Sequence, residues 1–196
     1  MSSTQRPQNR PAPLSHYTVP GLDMETGQRV ATLLQERLVA LIDLQLTLKH
    51  VHWNVVGPTF IGVHEMLDPQ VDSVRKMVDD IAERIATLGG EPNGLPGNLV
   101  ASRHWTDYSL GRATVPEHLG ALDIVYNGVI TSHRQAVREL DPLDPITQDI
   151  LIEQTQDLEM YQWFVRAHLQ SAEGALATDG ARTEAEAAAQ ARKRIA

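Results

Sequence analysis

The sequence predicts an all-α fold, a bundle of four long helices with an extended connection between the second and third. Three observations carry this reading. Apolar residues recur at three- and four-residue spacing along four separate stretches. No cluster alternates with the two-residue period of a half-buried strand, and no internal repeat is present. The pairs Gly57-Pro58, Gly89-Gly90 and Asp141-Pro142 fall at the ends of stretches, where helices stop.

The first helix follows Val30, Leu34, Arg37, Leu41, Leu44, Leu48 and His52, with Asp23 as its N-cap and Gly57-Pro58 as its terminator. The second runs from about Phe60 to Leu88, with Phe60, Val63, Leu67, Val71, Val74, Val78, Ile81, Ile85 and Leu88 on one stripe, and stops at Gly89-Gly90. The connection that follows is rich in Gly and Pro up to Gly97 and then carries Trp105 and Tyr108. It is too long for a hairpin loop, so it crosses the bundle and is expected to include a short helix. The third helix starts near Val115 and ends before Asp141-Pro142. The fourth starts near Pro145, a favourable first-turn residue, and reaches about Ser171. Four amphipathic helices with a long middle crossover make a ferritin-like bundle. Flanking it are two expected flexible tails, residues 1–22 and 173–196, around a bundle of residues 23–172. Within the second tail, Thr183 and Glu186 fit a capping box for a short helix ending in Arg192-Lys193-Arg194.

Composition bounds the function. The 196 residues suit one domain with a full core. With 42% hydrophobic and 21% charged residues and no long apolar run, nothing points to a membrane. The polar, proline-rich N-terminus lacks the apolar core of a signal peptide, so a cytoplasmic location is expected. The absence of cysteine excludes disulfides, zinc ribbons and thiol catalysis. Net charge is -8. The N-terminal tail is basic (Arg6 and Arg10) and the segment from Glu173 onward is neutral, so the acid lies in the body. An acidic body attracts metal cations and repels nucleic acid, leaving DNA contact to the tails.

Five metal-ligand side chains lie between His52 and Glu83, in two groups. His64 and Asp68 are four residues apart, one turn above each other on one helix face, and Asp79 and Glu83 repeat that spacing. Asp68 and Asp79 are separated by roughly 16 Å of helix at about 1.5 Å per residue. Metal–ligand bonds are only about 2 Å long. One subunit therefore cannot close both groups around one ion. Either the pairs are unrelated helix charges, or two antiparallel copies of the helix complete each other's site. At about 100° per residue the four candidates on the second helix lie roughly 60° to 160° round from the core stripe, on the flank where a second subunit would pack. His52 continues the buried stripe of the first helix and His50 lies opposite, so His52 is the preferred ligand. Carboxylates with imidazoles favour Fe(II), Mn(II) or Zn(II). No His-Glu-x-x-His run is present, because Asp68 follows His64-Glu65, and no Glu-x-x-His run occurs, which moves metal chemistry away from the bundle centre.

The run K49-H50-V51-H52-W53-N54, F60-I61-G62-V63-H64-E65-M66-L67-D68 and D79-D80-I81-A82-E83-R84 closely resembles the Dps family of miniferritins (DNA-binding proteins from starved cells), in its actinobacterial form. The likeness continues through N127-G128 and Y161-Q162-W163-F164-V165-R166-A167-H168-L169, covering roughly Leu22 to Ser171. The resemblance implies a hollow homododecamer with ferroxidase centres at two-fold interfaces. Each would take His52, His64 and Asp68 from one subunit and Asp79 and Glu83 from its neighbour. It also implies oxidation of Fe(II), preferably by hydrogen peroxide, with two irons per centre and zinc or manganese able to substitute, and storage of the ferric mineral in the cage. Trp53 would lie near the centre, whereas Trp105 and Trp163 are expected to pack. Asp141, Asp144 and Asp149 would surround an acidic iron pore. His104, His118, His133 and His168 are left as structural or surface residues. Weak DNA binding through Arg192, Lys193 and Arg194, with possible nucleoid association, is expected. The alternative function is nucleoid compaction through the tails.

Overall fold

The computed structural model describes residues 16–195. Residues 1–15, with Arg6 and Arg10 of the basic N-terminal tail, lie outside the described residues. The element order is α1 (Met24–Asn54), β1 (Val55–Val56), α2 (Phe60–Thr87), α3 (Pro96–Ser102), β2 (Ala113–Thr114), α4 (Val115–Leu140), α5 (Pro145–Leu169) and α6 (Glu184–Ile195). The four long helices and the short crossover helix α3 are those predicted.

Local chemistry sets the boundaries. Asp23 caps α1 by accepting from the Thr26 N–H at 2.9 Å. Thr114 and Glu117 form a reciprocal capping box at α4, with Pro116 in its first turn. Asp144 caps α5 ahead of Pro145. Gly89, at φ +82°, supplies the left-handed residue that ends α2, a conformation that is costly for a residue with a Cβ.

Helix α1 packs along α2, and α4 along α5. One core runs the length of the bundle, built from the predicted stripes of α1 and α2, apart from Phe60, which is exposed in the first turn of α2, with Leu119, Leu122, Tyr126, Leu140, Leu151, Leu158 and Val165. Inside it the Tyr126 hydroxyl donates to Gln70 Oε1 at 2.7 Å.

Two features depart from the sequence reading. First, Val55-Val56 and Ala113-Thr114 form a two-residue parallel pair, too short to leave a periodic signal. It ties the α1–α2 loop to the end of the crossover. Arg103 anchors the same crossover on Asp43 at 3.1 Å, and the Trp105 indole donates to Asp43 at 2.6 Å.

The second departure is at the C-terminus. Where a flexible tail was expected from residue 173, the chain bridges Gln170 to Leu176 and then forms α6, which lies along α4. The predicted capping box is present, with Glu186 N–H donating to Thr183 Oγ1 at 3.2 Å. Its docking rests on tertiary contacts that no local pattern encodes. The Thr178 hydroxyl donates to buried Asp123 at 2.8 Å, and Gln162 and Arg166 donate to the same carboxylate.

Candidate metal centre

His52 stands at the end of α1 and His64 at the start of α2, and the short connection between the helices brings their rings together. The rings stack with centroids 3.6 Å apart and planes inclined by 21°. Each Nδ1 lies 2.9 Å from the other residue's backbone carbonyl: His52 Nδ1 from His64 O, and His64 Nδ1 from His52 O. A carbonyl only accepts, so both Nδ1 atoms carry the proton and both Nε2 atoms present lone pairs. A backbone bond that fixes the tautomer and aims the other nitrogen is the usual support of a metal-binding imidazole.

Asp68 follows His64 by one turn of α2. Its Oδ1 accepts from Lys49 Nζ at 2.6 Å and lies 3.3 Å from His52 Nδ1. The Lys49 hydrogen bond holds its carboxyl below the ordinary aspartate range, so it is ionised as a ligand must be. His50, by contrast, points to the Leu110 carbonyl at 2.8 Å, in keeping with the preference for His52.

Asp79 and Glu83 are exposed on α2. Among the described residues neither carboxylate is engaged by a partner; the neighbouring Asp80 is instead paired with Lys76 at 3.0 Å. The structure thus brings His52, His64 and Asp68 together and leaves Asp79 and Glu83 farther along the same helix. Among the described residues, no group of three such side chains is gathered to enclose an ion within one subunit. The unspent imidazole nitrogens and carboxylates are a nitrogen–oxygen donor set that fits Fe(II), Mn(II) or Zn(II).

Exposed apolar side chains stand on the same two helices: Trp53 follows His52 in the chain, and Phe60 meets the His64 ring edge-on with centroids 6.2 Å apart. Trp53 is 71% exposed, so it does not pack in the core. Trp163, expected to pack, is 63% exposed on α5. Asp144 is buried, its carboxylate pairing with Arg84 at 2.7 Å and accepting from the Thr147 hydroxyl. Asp141 and Asp149 are exposed beside it. His118 and His133 are fully buried. The signal for Arg84–Asp144 was unreadable in sequence because the partners lie on different helices.

The bundle, with its histidine pair on one helix junction and its carboxylates on one helix flank, is that of a ferritin-like protein. The Ferritin family model, a ferritin-like domain, matches residues 31–175. The DNA protection during starvation protein of Mycolicibacterium smegmatis is 55% identical over 183 residues, 93% of this chain and 100% of that protein. Among solved structures, Mycobacterium smegmatis Dps superposes with a TM-score of 0.83 at 57% identity, covering 84% of this chain and 94% of that one. DpsA14 from Streptomyces coelicolor gives 0.82 at 62% identity, covering 83% and 97%. The chain belongs to the Dps family of the ferritin-like superfamily. Membership carries the general Dps-type function, iron storage with ferroxidase chemistry. Among the described residues no helix is long and apolar enough to cross a membrane.

Proposed function

We propose that this chain assembles into a cytoplasmic homododecameric cage that oxidises Fe(II) with hydrogen peroxide at centres shared between two-fold-related subunits. His52, His64 and Asp68 of one subunit face Asp79 and Glu83 of the neighbour. The observation that carries this reading is the reciprocal His52–His64 backbone bonding. It leaves both Nε2 atoms without a hydrogen-bond partner among the described residues, in a group that includes the ionised Asp68, with exposed Trp53 and Phe60 close by for a second subunit to cover.

Fe(II) enters as substrate. Two Fe(II) ions each give up one electron, one peroxide takes both, its O–O bond breaks, and two protons complete two waters. The carboxylates favour the harder ferric product. Hydrolysed Fe(III) then collects inside the cage. Zinc or manganese is expected to compete for the same donors. Consuming peroxide together with ferrous iron suppresses hydroxyl-radical formation and so protects DNA. Exposed Asp141 and Asp149, at the α4–α5 corner, are assigned to drawing Fe²⁺ toward the cage.

The test is anaerobic Fe(II) loading followed by one peroxide addition, for wild type and Asp79→Ala/Glu83→Ala. Rapid Fe(III) absorbance in wild type and its loss in the variant are expected. Equal traces would reduce the five residues to structural charges. A second reading, DNA contact through Arg192, Lys193 and Arg194, is favoured by three consecutive exposed cations on an otherwise acidic chain. Removing the residues after Thr183 should lower a low-salt gel shift, and an unchanged shift would place DNA contact elsewhere.

A further inference from the structure

The basic end of the chain is docked against the bundle. Arg192 Nη1 lies 3.4 Å from Glu117, and Arg194 Nη1 donates to the Leu176 carbonyl at 2.6 Å. Glu184, at the other end of α6, accepts from the Ser109 N–H at 2.7 Å. Of the three cations, Lys193 alone has no partner among the described residues.

The docking is close but thin. The side chains that α6 buries, among those described, are Ala187, Ala188 and Ala191, so little apolar surface holds it. Its approach depends on Gly120 of α4. A Cβ at that position would meet the Ala187 carbonyl oxygen at 2.7 Å, the Ala187 carbonyl carbon at 2.9 Å and the Ala191 Cβ at 3.0 Å. All three atoms belong to α6. Upstream, Ala177 N–H bonds to the Leu169 carbonyl at 2.9 Å and Thr178 is held by Asp123, so the segment leading to α6 is anchored independently. Between anchor and helix stands Gly180, at φ +80° with open space around it. A thinly held element beyond an anchored segment and a glycine is the arrangement expected to open locally without global unfolding.

We propose that α6 is an autoinhibitory latch. When it is docked, Glu117 and the Leu176 carbonyl occupy two of the three terminal cations. When it is released about Gly180, Arg192, Lys193 and Arg194 become a contiguous basic arm with a reach of roughly 50 Å when fully extended. The partner this arm fits is double-stranded DNA, approached away from the acidic body and repeated on every subunit of the cage. The inference rests on the reading of DNA contact through the C-terminal segment and adds its regulation.

The test uses assembled full-length protein and a labelled random-sequence duplex, titrated across a salt series. The variants are Gly120→Leu, Gly120→Leu with Arg192, Lys193 and Arg194 changed to Ala, and a truncation after Thr183. Amide hydrogen exchange in α6 reports its release, and gel filtration reports the cage. Gly120→Leu is expected to release α6 and tighten binding about ten-fold or more at low salt, with a steeper salt dependence. The triple alanine change should reverse the gain. If α6 is released and binding does not tighten, while truncation still weakens it, the latch is wrong and the DNA reading stands. If all variants bind alike, both are wrong. Gly120→Ala provides a milder wedge should leucine prevent assembly; release without tighter binding in that variant would equally overturn the latch.

Discussion

The two ends of α2 carry ligand-type side chains built in opposite ways. At the N-terminal end, His64 is locked to His52 by two backbone hydrogen bonds, and Asp68 is held by Lys49. At the C-terminal end, Asp79 and Glu83 stand exposed with no partner among the described residues. The first group is preorganised by its own subunit, so its geometry and local stability are coupled. The second contributes charge alone and acquires meaning only against another surface. Chemistry and stability are therefore separable at one end of the helix and inseparable at the other.

The largest expected effect breaks that comparison directly. Asp79→Ala/Glu83→Ala should abolish rapid peroxide-driven Fe(III) formation while subunit stability stays within about 0.5 kcal/mol, as for other exposed changes. His52→Ala should lose the same activity and also about 1–3 kcal/mol, because it removes a buried ring and its hydrogen bond to the His64 carbonyl. Thermal unfolding read beside the oxidation assay checks both. Equal destabilisation by the two variants would contradict the contrast.

Complementation sharpens it next. Co-assembling His64→Ala and Glu83→Ala subunits in equal amounts should restore about one quarter of the centres, since only mixed pairs hold one intact site. No restored oxidation would place all five residues in one subunit's function.

A buried histidine outside the ligand group affects stability alone and leaves the oxidation untouched. His133 is fully buried in α4, and burial, together with the nearby Arg37 charge, pushes its pKa down to about 4. A depressed histidine stays neutral in the fold while the unfolded chain takes up a proton below about 6.5. Its contribution is therefore present above pH 6.5 and lost as pH falls from about 6.5 to about 4, to the extent of about 3 kcal/mol at roughly 1.4 kcal/mol per unit. Replacing His133 with Gln should flatten unfolding free energy across that window; an unchanged slope would assign the acid sensitivity to other groups. Smallest is Asp141→Asn/Asp149→Asn, which should slow iron uptake about two-fold at low salt and not at high salt. Equal slowing at both would argue against electrostatic guidance.

Much of the bundle was legible because its signals are local. The stripe from Val30 to Leu48 and the stop at Gly89-Gly90 each depend on a few adjacent residues, and both match the observed helices. The separation of His64-Asp68 from Asp79-Glu83 was equally legible, since helical rise converts sequence spacing into distance. The β1–β2 pair was not, because two residues carry no period. Nor was the exposure of Trp163, since residue type alone favours burial for an indole.

By itself, then, the sequence determined the helices, their caps, the long crossover and the identity of the ligand-type side chains, all set by periodicity and short-range hydrogen bonding. Tertiary structure alone decided which imidazole nitrogen is free, that Asp144 is spent on Arg84, and that α6 lies on α4 against Gly120. The physical reason is common to all three. Each depends on a contact between distant parts of the chain, where a single carbonyl, guanidinium or missing Cβ sets the outcome and leaves no repeating pattern to read.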